Sequence, residues 1–142
     1  REIISEPVAI MAIGDEALRL KMENTYPIHM DLAEYWNKKT GLPFVFSVFA
    51  VREEFLASAS QSARDIRQAL LDCRRRGLER IDEICDRVAR RIPMDPRACS
   101  LYLQSMEYDL GPAKQKALEE FFSLLIQRGE ADKAALPLKI FS

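Results

Sequence analysis

The residues best placed to act on a small ligand are a glycine and a carboxylate that follow a short apolar run. Residues 7–13 (PVAIMAI) lead directly into Gly14 and Asp15. A short β-branched run closed by glycine indicates a buried strand, and open α/β sheets bind ligands beyond the carboxyl ends of their strands. Gly14 would let a ligand approach the backbone, and Asp15 could contact its polar groups. The alternative is that Asp15 only caps the following helix.

A second candidate is the turn at residues 40–44 (TGLPF). Gly41 is typical of the position just after a helix, and Pro43 prevents the helix from continuing. The turn therefore has two interpretations, a simple helix C-cap or part of a pocket wall.

Residue types exclude several other kinds of site. His29 is the only histidine, so neither an imidazole-based catalytic triad nor a two-histidine metal site can form. Glycine motifs of phosphate loops, dinucleotide folds and nucleophile elbows are absent. Cys73, Cys85 and Cys99 have no C-x-x-C spacing, which argues against a disulfide framework or a zinc site. We therefore predict no metal site.

Composition describes a folded protein with balanced charge. The 142 residues are 48% hydrophobic and 30% charged, with 21 Lys+Arg against 22 Asp+Glu. Such apolar content excludes a disordered tail, and a net charge of -1 removes the bulk electrostatic argument for nucleic acid. The longest apolar stretch, residues 43–51, is far shorter than the ~20 residues that span a bilayer. No secretory leader begins the sequence, so we expect a cytoplasmic protein without membrane or nucleic-acid partners.

An arginine-rich stretch, residues 64–91, could bind anions or nucleic acid. It holds nine arginines and six acidic residues. The simpler interpretation is a solvated helix face with ion pairs three and four residues apart. No aromatic residues alternate with the arginines, which favours this simpler interpretation.

The segments that position the candidate residues are apolar runs followed by helices. Residues 44–51 (FVFSVFAV) give the clearest strand signal, with both faces apolar, so this strand belongs inside a sheet. The run 7–13 is a second strand and residues 136–141 a weaker third. Such a sheet lacks the neighbours that a central strand needs. The unpaired strand 44–51 would favour aggregation unless a complementary segment or a second copy pairs with it.

The 3–4 spacing of apolar residues predicts helices elsewhere. Residues 16–22 fit a helix no better than a loop, and residues 21–29 are polar and contain Pro27, which indicates a loop. We predict a break at Gly77 and helix caps at Asp31 and Asp95. The predicted helices are residues 31–39, 53–75, 78–92, 97–106 and 113–128.

Several of these segments together resemble the chorismate dehydratase family, which opens the futalosine route to menaquinone. The matching runs are residues 13–18 (IGDEAL), 31–36 (DLAEYW), 40–48 (TGLPFVFSV) and 108–112 (YDLGP). The run 40–48 is the most specific of them. Two residues depart from the family pattern: Ala33 stands where glycine is usual, and Phe49 where tryptophan is usual.

The resemblance implies an α/β fold of two lobes around a ligand cleft, similar to the type 2 periplasmic binding proteins. This sequence would be the C-terminal half, mostly helical with two or three strands. Residues 1–43 would end the second lobe, and residues 44–142 would return to the first lobe with a central strand and the C-terminal helices. Asn- and Ser-bearing cleft motifs of the family would belong to the other half.

The implied reaction is the loss of water from chorismate, which gives 3-[(1-carboxyvinyl)oxy]benzoate without a metal or organic cofactor. In this half, Asp15 is the expected catalytic residue, and Gly14, Leu42, Pro43 and Phe44 are expected to bind the substrate. Possible states of assembly are a homodimer or an exchange of strands between copies.

Two other functions stay open. One is the sister enzyme 1,4-dihydroxy-6-naphthoate synthase, although the runs 13–18 and 43–46 fit the dehydratase better. The other is a solute-binding protein, or a helical lobe that pairs with a partner chain, without catalysis.

Overall fold

The computed structural model describes residues 9–91 and 94–141, except for the side chain of Arg90. Of these residues, 64% are helical and none forms a strand. None of the helices described is long and apolar enough to cross a membrane. Short 3₁₀ helices occupy Ala89–Arg91 and Lys133–Ala135. The α-helices are α1 (Asp15–Glu23), α2 (Leu32–Thr40), α3 (Glu53–Ser58), α4 (Ser60–Glu79), α5 (Ile81–Val88), α6 (Pro96–Ser105) and α7 (Pro112–Gln127).

The chain divides into two compact units. Unit 1 contains Arg1–His29 and Leu71–Glu107, and unit 2 contains Met30–Leu70 and Tyr108–Ser142. In unit 1, α5 packs against α6 around buried Cys85, Ala89 and Cys99. The predicted division into residues 1–43 and 44–142 concerns the lobes of a larger fold and stays a prediction.

The helix predicted at residues 31–39 is confirmed, together with both of its ends. The Asp31 side chain accepts hydrogen bonds from the backbone N–H groups of Ala33 and Glu34, at 2.9 and 3.2 Å. Gly41 ends α2 in the left-handed conformation with φ 70°, and its N–H donates to the Asn37 carbonyl at 2.8 Å. Both caps satisfy backbone groups that a helix end leaves without partners.

The predicted break at Gly77 is wrong, because α4 continues through this residue to Glu79. A glycine costs a helix only about 1 kcal/mol, which a 20-residue helix can absorb. Arg75 forms an ion pair with Glu79 at 3.2 Å that spans the glycine, and a second pair with Asp72 at 3.7 Å before it. The break lies instead at Arg80, which separates α4 from α5. A second interruption, which was not predicted, lies at Ala59 between α3 and α4.

At the start of the chain, α1 extends over residues that were predicted as loop. It runs from Asp15 to Glu23, so only residues 24–29 of the predicted loop lie outside regular structure. An ion pair four residues apart, from Arg19 to Glu23 at 2.9 Å, supports the last turn. Asn24 ends the helix in the left-handed conformation.

The arginine-rich stretch carries ion pairs along its helices. Besides the two pairs of Arg75, Arg80 contacts Glu83 at 2.5 Å, and this contact holds the pKa of the Glu83 carboxyl below its usual value. Both partners are mostly exposed, so each pair adds little stability. Ion pairs three and four residues apart are expected of a solvated helix face, so these contacts support that interpretation of residues 64–91.

The strand predictions are wrong for the residues that the structure describes. Residues 9–13, 43–52 and 136–141 carry no strand, while Pro7 and Val8 lie outside the described part. A strand exists only where its backbone pairs with another, and the described residues supply no such partner. Met11 and Phe49 are 87% and 86% exposed. The mostly helical character is confirmed, whereas the two-lobed fold stays a proposal.

Two glycine substitutions test the left-handed conformation assigned to Gly41 and the helical conformation assigned to Gly77. Gly41→Ala is expected to destabilise the protein by about 1–2 kcal/mol, because φ 70° is strained for a residue with a side chain. Gly77→Ala is expected to stabilise it by about 0.5–1 kcal/mol, because alanine is the better helix former. An added Cβ meets nothing within 4 Å at either position, so only backbone conformation separates the two. Urea unfolding followed by circular dichroism measures both, and shifts in the same direction would contradict the assignments.

Candidate active site

Gly14 occupies the turn that leads into α1. Its φ of 63° and ψ of -139° are accessible only to glycine at low cost. The Gly14 carbonyl accepts the first helical hydrogen bond, from the Leu18 N–H at 3.1 Å. A Cβ placed at Gly14 would meet no atom within 4 Å. The backbone at this turn is therefore open to an approaching ligand within unit 1.

Asp15 does not cap α1, so this part of the sequence-based interpretation is wrong. Gly14 holds the N-cap position, Asp15 is the first helical residue, and no side chain caps this end. A capping side chain must come from the non-helical residue before the helix, which places Asp15 one position too late. Within the described residues, its exposed carboxylate has no hydrogen bond or ion pair. Asp15 is thus available to accept a hydrogen bond from a ligand.

The turn at residues 40–44 is fixed by hydrogen bonds from side chains of α2. The Thr40 hydroxyl donates to the Trp36 carbonyl at 2.9 Å and accepts from the Leu42 N–H at 3.1 Å. The Asn37 amide donates to the Leu42 carbonyl, and the Trp36 indole donates to the Pro43 carbonyl, both at 3.1 Å. Both carbonyls of the Leu42-Pro43 dipeptide are therefore already bonded within unit 2.

Trp36, Phe44 and Phe121 form an aromatic cluster that holds the end of this turn. Their ring centroids are 5.7–5.9 Å apart, and each pair meets edge to face, which is a favourable aromatic geometry. The free space beside the cluster is only about 10 Å³, barely enough for one water molecule. Pro43 and Phe44 therefore form a rigid apolar wall that is packed against α7.

The structure places the predicted site residues in both units. Gly14 and Asp15 belong to unit 1, whereas Leu42, Pro43 and Phe44 belong to unit 2. That one ligand contacts both groups stays a prediction. Across the described residues, no group of three or more His, Cys, Asp or Glu side chains is placed to hold a metal ion.

Sequence reasoning missed the residues that fix the turn. The sequence indicated Thr40 only as part of the turn, and Trp36 only as part of the run 31–36. Asn37 was not singled out at all. A threonine in a helix can donate its hydroxyl to the backbone carbonyl four residues earlier. The position of Thr40 four residues after Trp36 was therefore the available signal.

With this geometry established, comparison with known proteins assigns the chain to a class. A family model described as menaquinone biosynthesis matches residues 1–127. The chain therefore belongs to this family, and the resemblance inferred from the sequence is confirmed.

A curated relative is the chorismate dehydratase of Thermus thermophilus. It is 29% identical over 139 residues, and the match covers 87% of this chain and 49% of the relative. The chain thus spans about half the length of this relative. No solved structure matches the chain.

The hydrogen bonds of Thr40 can be tested with two variants of similar size. Thr40→Val removes one donor and one acceptor and leaves the Leu42 N–H without its partner, so it is expected to cost about 1–2 kcal/mol. Thr40→Ser keeps the hydroxyl and is expected to cost less. Trp36 is the only tryptophan, so its fluorescence during urea unfolding reports on this turn. Equal losses of stability in both variants would show that the hydroxyl does not hold the turn.

Proposed function

We propose that the protein acts as a chorismate dehydratase, removing water from chorismate to give 3-[(1-carboxyvinyl)oxy]benzoate. Membership of the menaquinone biosynthesis family supports this, as does the name of the Thermus thermophilus relative. The observation that carries the proposal is the open Gly14 turn followed by the unpaired Asp15 carboxylate. These two residues lie within a run, 13–18, that carries the resemblance.

The chemistry requires the loss of one ring proton and one hydroxyl group, which leave together as water. The ring becomes aromatic, and this supplies the driving force. An enzyme for such a reaction must chiefly hold a dianion in a productive orientation and assist the leaving group. Fixed polar groups and a cleft closed against water suit this task better than a strong base, and the substrate's own carboxylate could take the proton.

Asp15 is proposed to accept a hydrogen bond from the substrate hydroxyl and so orient it. A carboxylate repels the substrate's two carboxylates, which directs it to the hydroxyl rather than to those groups. Gly14 has no side chain, so the substrate can come close to the backbone beside it. The negative charge of Asp15 is itself favoured at the start of α1 by the helix dipole.

Leu42, Pro43 and Phe44 are proposed to give the cleft one rigid apolar wall. The hydrogen bonds from Trp36 and Asn37 fix the backbone of this wall before any substrate arrives. A wall that is already ordered loses little conformational entropy on binding. In this role the three residues shape the cleft, while the carbonyl groups of Leu42 and Pro43 stay bonded to α2.

The remaining part of the site is proposed to come from outside these residues. The match covers 49% of the relative, which fits one half of a two-lobed protein. Residues 44–51 would then join a sheet whose other strands belong to the rest of the protein. A second copy could supply them instead, through a homodimer or an exchange of strands. No metal or organic cofactor takes part in the proposed reaction.

Incubation of the intact protein with chorismate, followed by ultraviolet absorbance, tests the proposed reaction. Appearance of the benzoate product supports it. Tight binding of chorismate without turnover would contradict it and favour a solute-binding protein. Conversion of another pathway intermediate, with chorismate untouched, would favour the sister enzyme.

Asp15→Asn tests the role of the carboxylate within the intact protein. The amide loses the negative charge and part of the acceptor capacity, so turnover is expected to fall at least about tenfold, equal to about 1.4 kcal/mol in the barrier. The fold should be unchanged, because Asp15 has no partner within the described residues. Glu16→Gln is the matched control, since it removes the same charge one residue later and should retain most activity. Wild-type rates for Asp15→Asn would remove Asp15 from the mechanism.

A further inference from the structure

Two cysteines meet at the interface between the helices of unit 1. Cys85 on α5 is 0% exposed and Cys99 on α6 is 1% exposed, and both belong to the same buried cluster. Among the described residues, these two are the largest side chains that are fully buried. Cys73 differs, because it is exposed on α4. The three thiols therefore fall into one buried pair and one accessible thiol.

The two buried thiols are neighbours in the core of unit 1, because Cys85 and Cys99 belong to one buried cluster between α5 and α6. Burial raises the pKa of the Cys85 thiol to about 11, and neighbouring Cys99 adds to this shift. Since only a thiolate attacks a disulfide at a useful rate, this thiol is unreactive while the helices stay packed. Reaction therefore requires a local opening of the α5–α6 pair, and reclosing of the pair brings the two sulfurs together again.

We propose that Cys85 and Cys99 are a modification site that forms an intrachain disulfide by exchange with a low-molecular-weight disulfide such as glutathione disulfide. In the first step one cysteine thiolate attacks the reagent, whose S–S bond breaks and releases one thiol. In the second step the other cysteine attacks this mixed disulfide and displaces the second thiol. The protein loses two protons and two electrons, and the reagent gains them as two thiols.

The disulfide would tie α5 to α6 within the core of unit 1. Thirteen residues separate the two cysteines in the sequence, so the bond closes a short loop and restricts the unfolded chain. Oxidation is therefore expected to raise the unfolding temperature of the protein. Cys73 is exposed on α4 and lies outside the buried cluster, so it is expected to stop at the mixed disulfide.

The experiment uses the Cys73→Ser variant, whose only cysteines are Cys85 and Cys99. After incubation with glutathione disulfide under native conditions, the protein is unfolded and treated with an alkylating reagent, and its intact mass is measured. The expected product has lost two hydrogen atoms and takes up no alkyl group, and it melts at a higher temperature than the reduced form. Cys73→Ser combined with Cys99→Ser is the matched control, which should yield only the free thiol or one glutathione adduct.

Tryptic mapping of the wild-type chain provides a second measurement that does not depend on any variant folding. Cleavage places Cys73, Cys85 and Cys99 in separate peptides, residues 68–74, 81–87 and 98–114. A crosslink between the second and third peptides is expected. Two alkylated thiols, two glutathione adducts, or crosslinks that involve Cys73 in preference would each overturn the proposal.

Discussion

An apolar strand can be buried only if its peptide groups find hydrogen-bond partners, and this requirement governs residues 44–51. Their composition is that of a strand with two apolar faces. Within the described residues they have no neighbouring strand, and the chain there carries no regular structure. Phe46 and Phe49 are 78% and 86% exposed.

One end of the segment 44–51 is anchored firmly. The aromatic cluster of Trp36, Phe44 and Phe121 joins α2 and α7 to the beginning of the segment. Hydrogen bonds from α2 fix the two residues before it. The chain is thus ordered up to Phe44 and exposed from Phe46 onward. In the proposed two-lobed protein, this exposed segment would pair with another backbone.

Local signals determined which features could be predicted. Asp31, Gly41 and Asp95 act through contacts within a few residues, so the sequence reveals them. The predicted helix break at Gly77 was wrong because one glycine destabilises a helix by only about 1 kcal/mol, which is too little to end a helix as long as α4. The alternative that Asp15 caps α1 is wrong by one position, because Gly14 holds the N-cap. The hydrogen bonds from Trp36 and Asn37 to the turn depend on the folded path of the chain. The strand predictions failed because a strand needs a pairing partner, and the described residues supply none.

The account rests on the proposal that residues 46–51, which form no strand in this chain, pair with other strands only in a longer protein. Hydrogen exchange of their backbone amides tests this most directly, in this chain alone and in the longer protein that the proposal implies. We expect exchange as fast as in an unstructured peptide in this chain, while amides within α7 are protected, and strong protection of residues 46–51 in the longer protein. Protection in the isolated chain, or fast exchange in both, would contradict the claim.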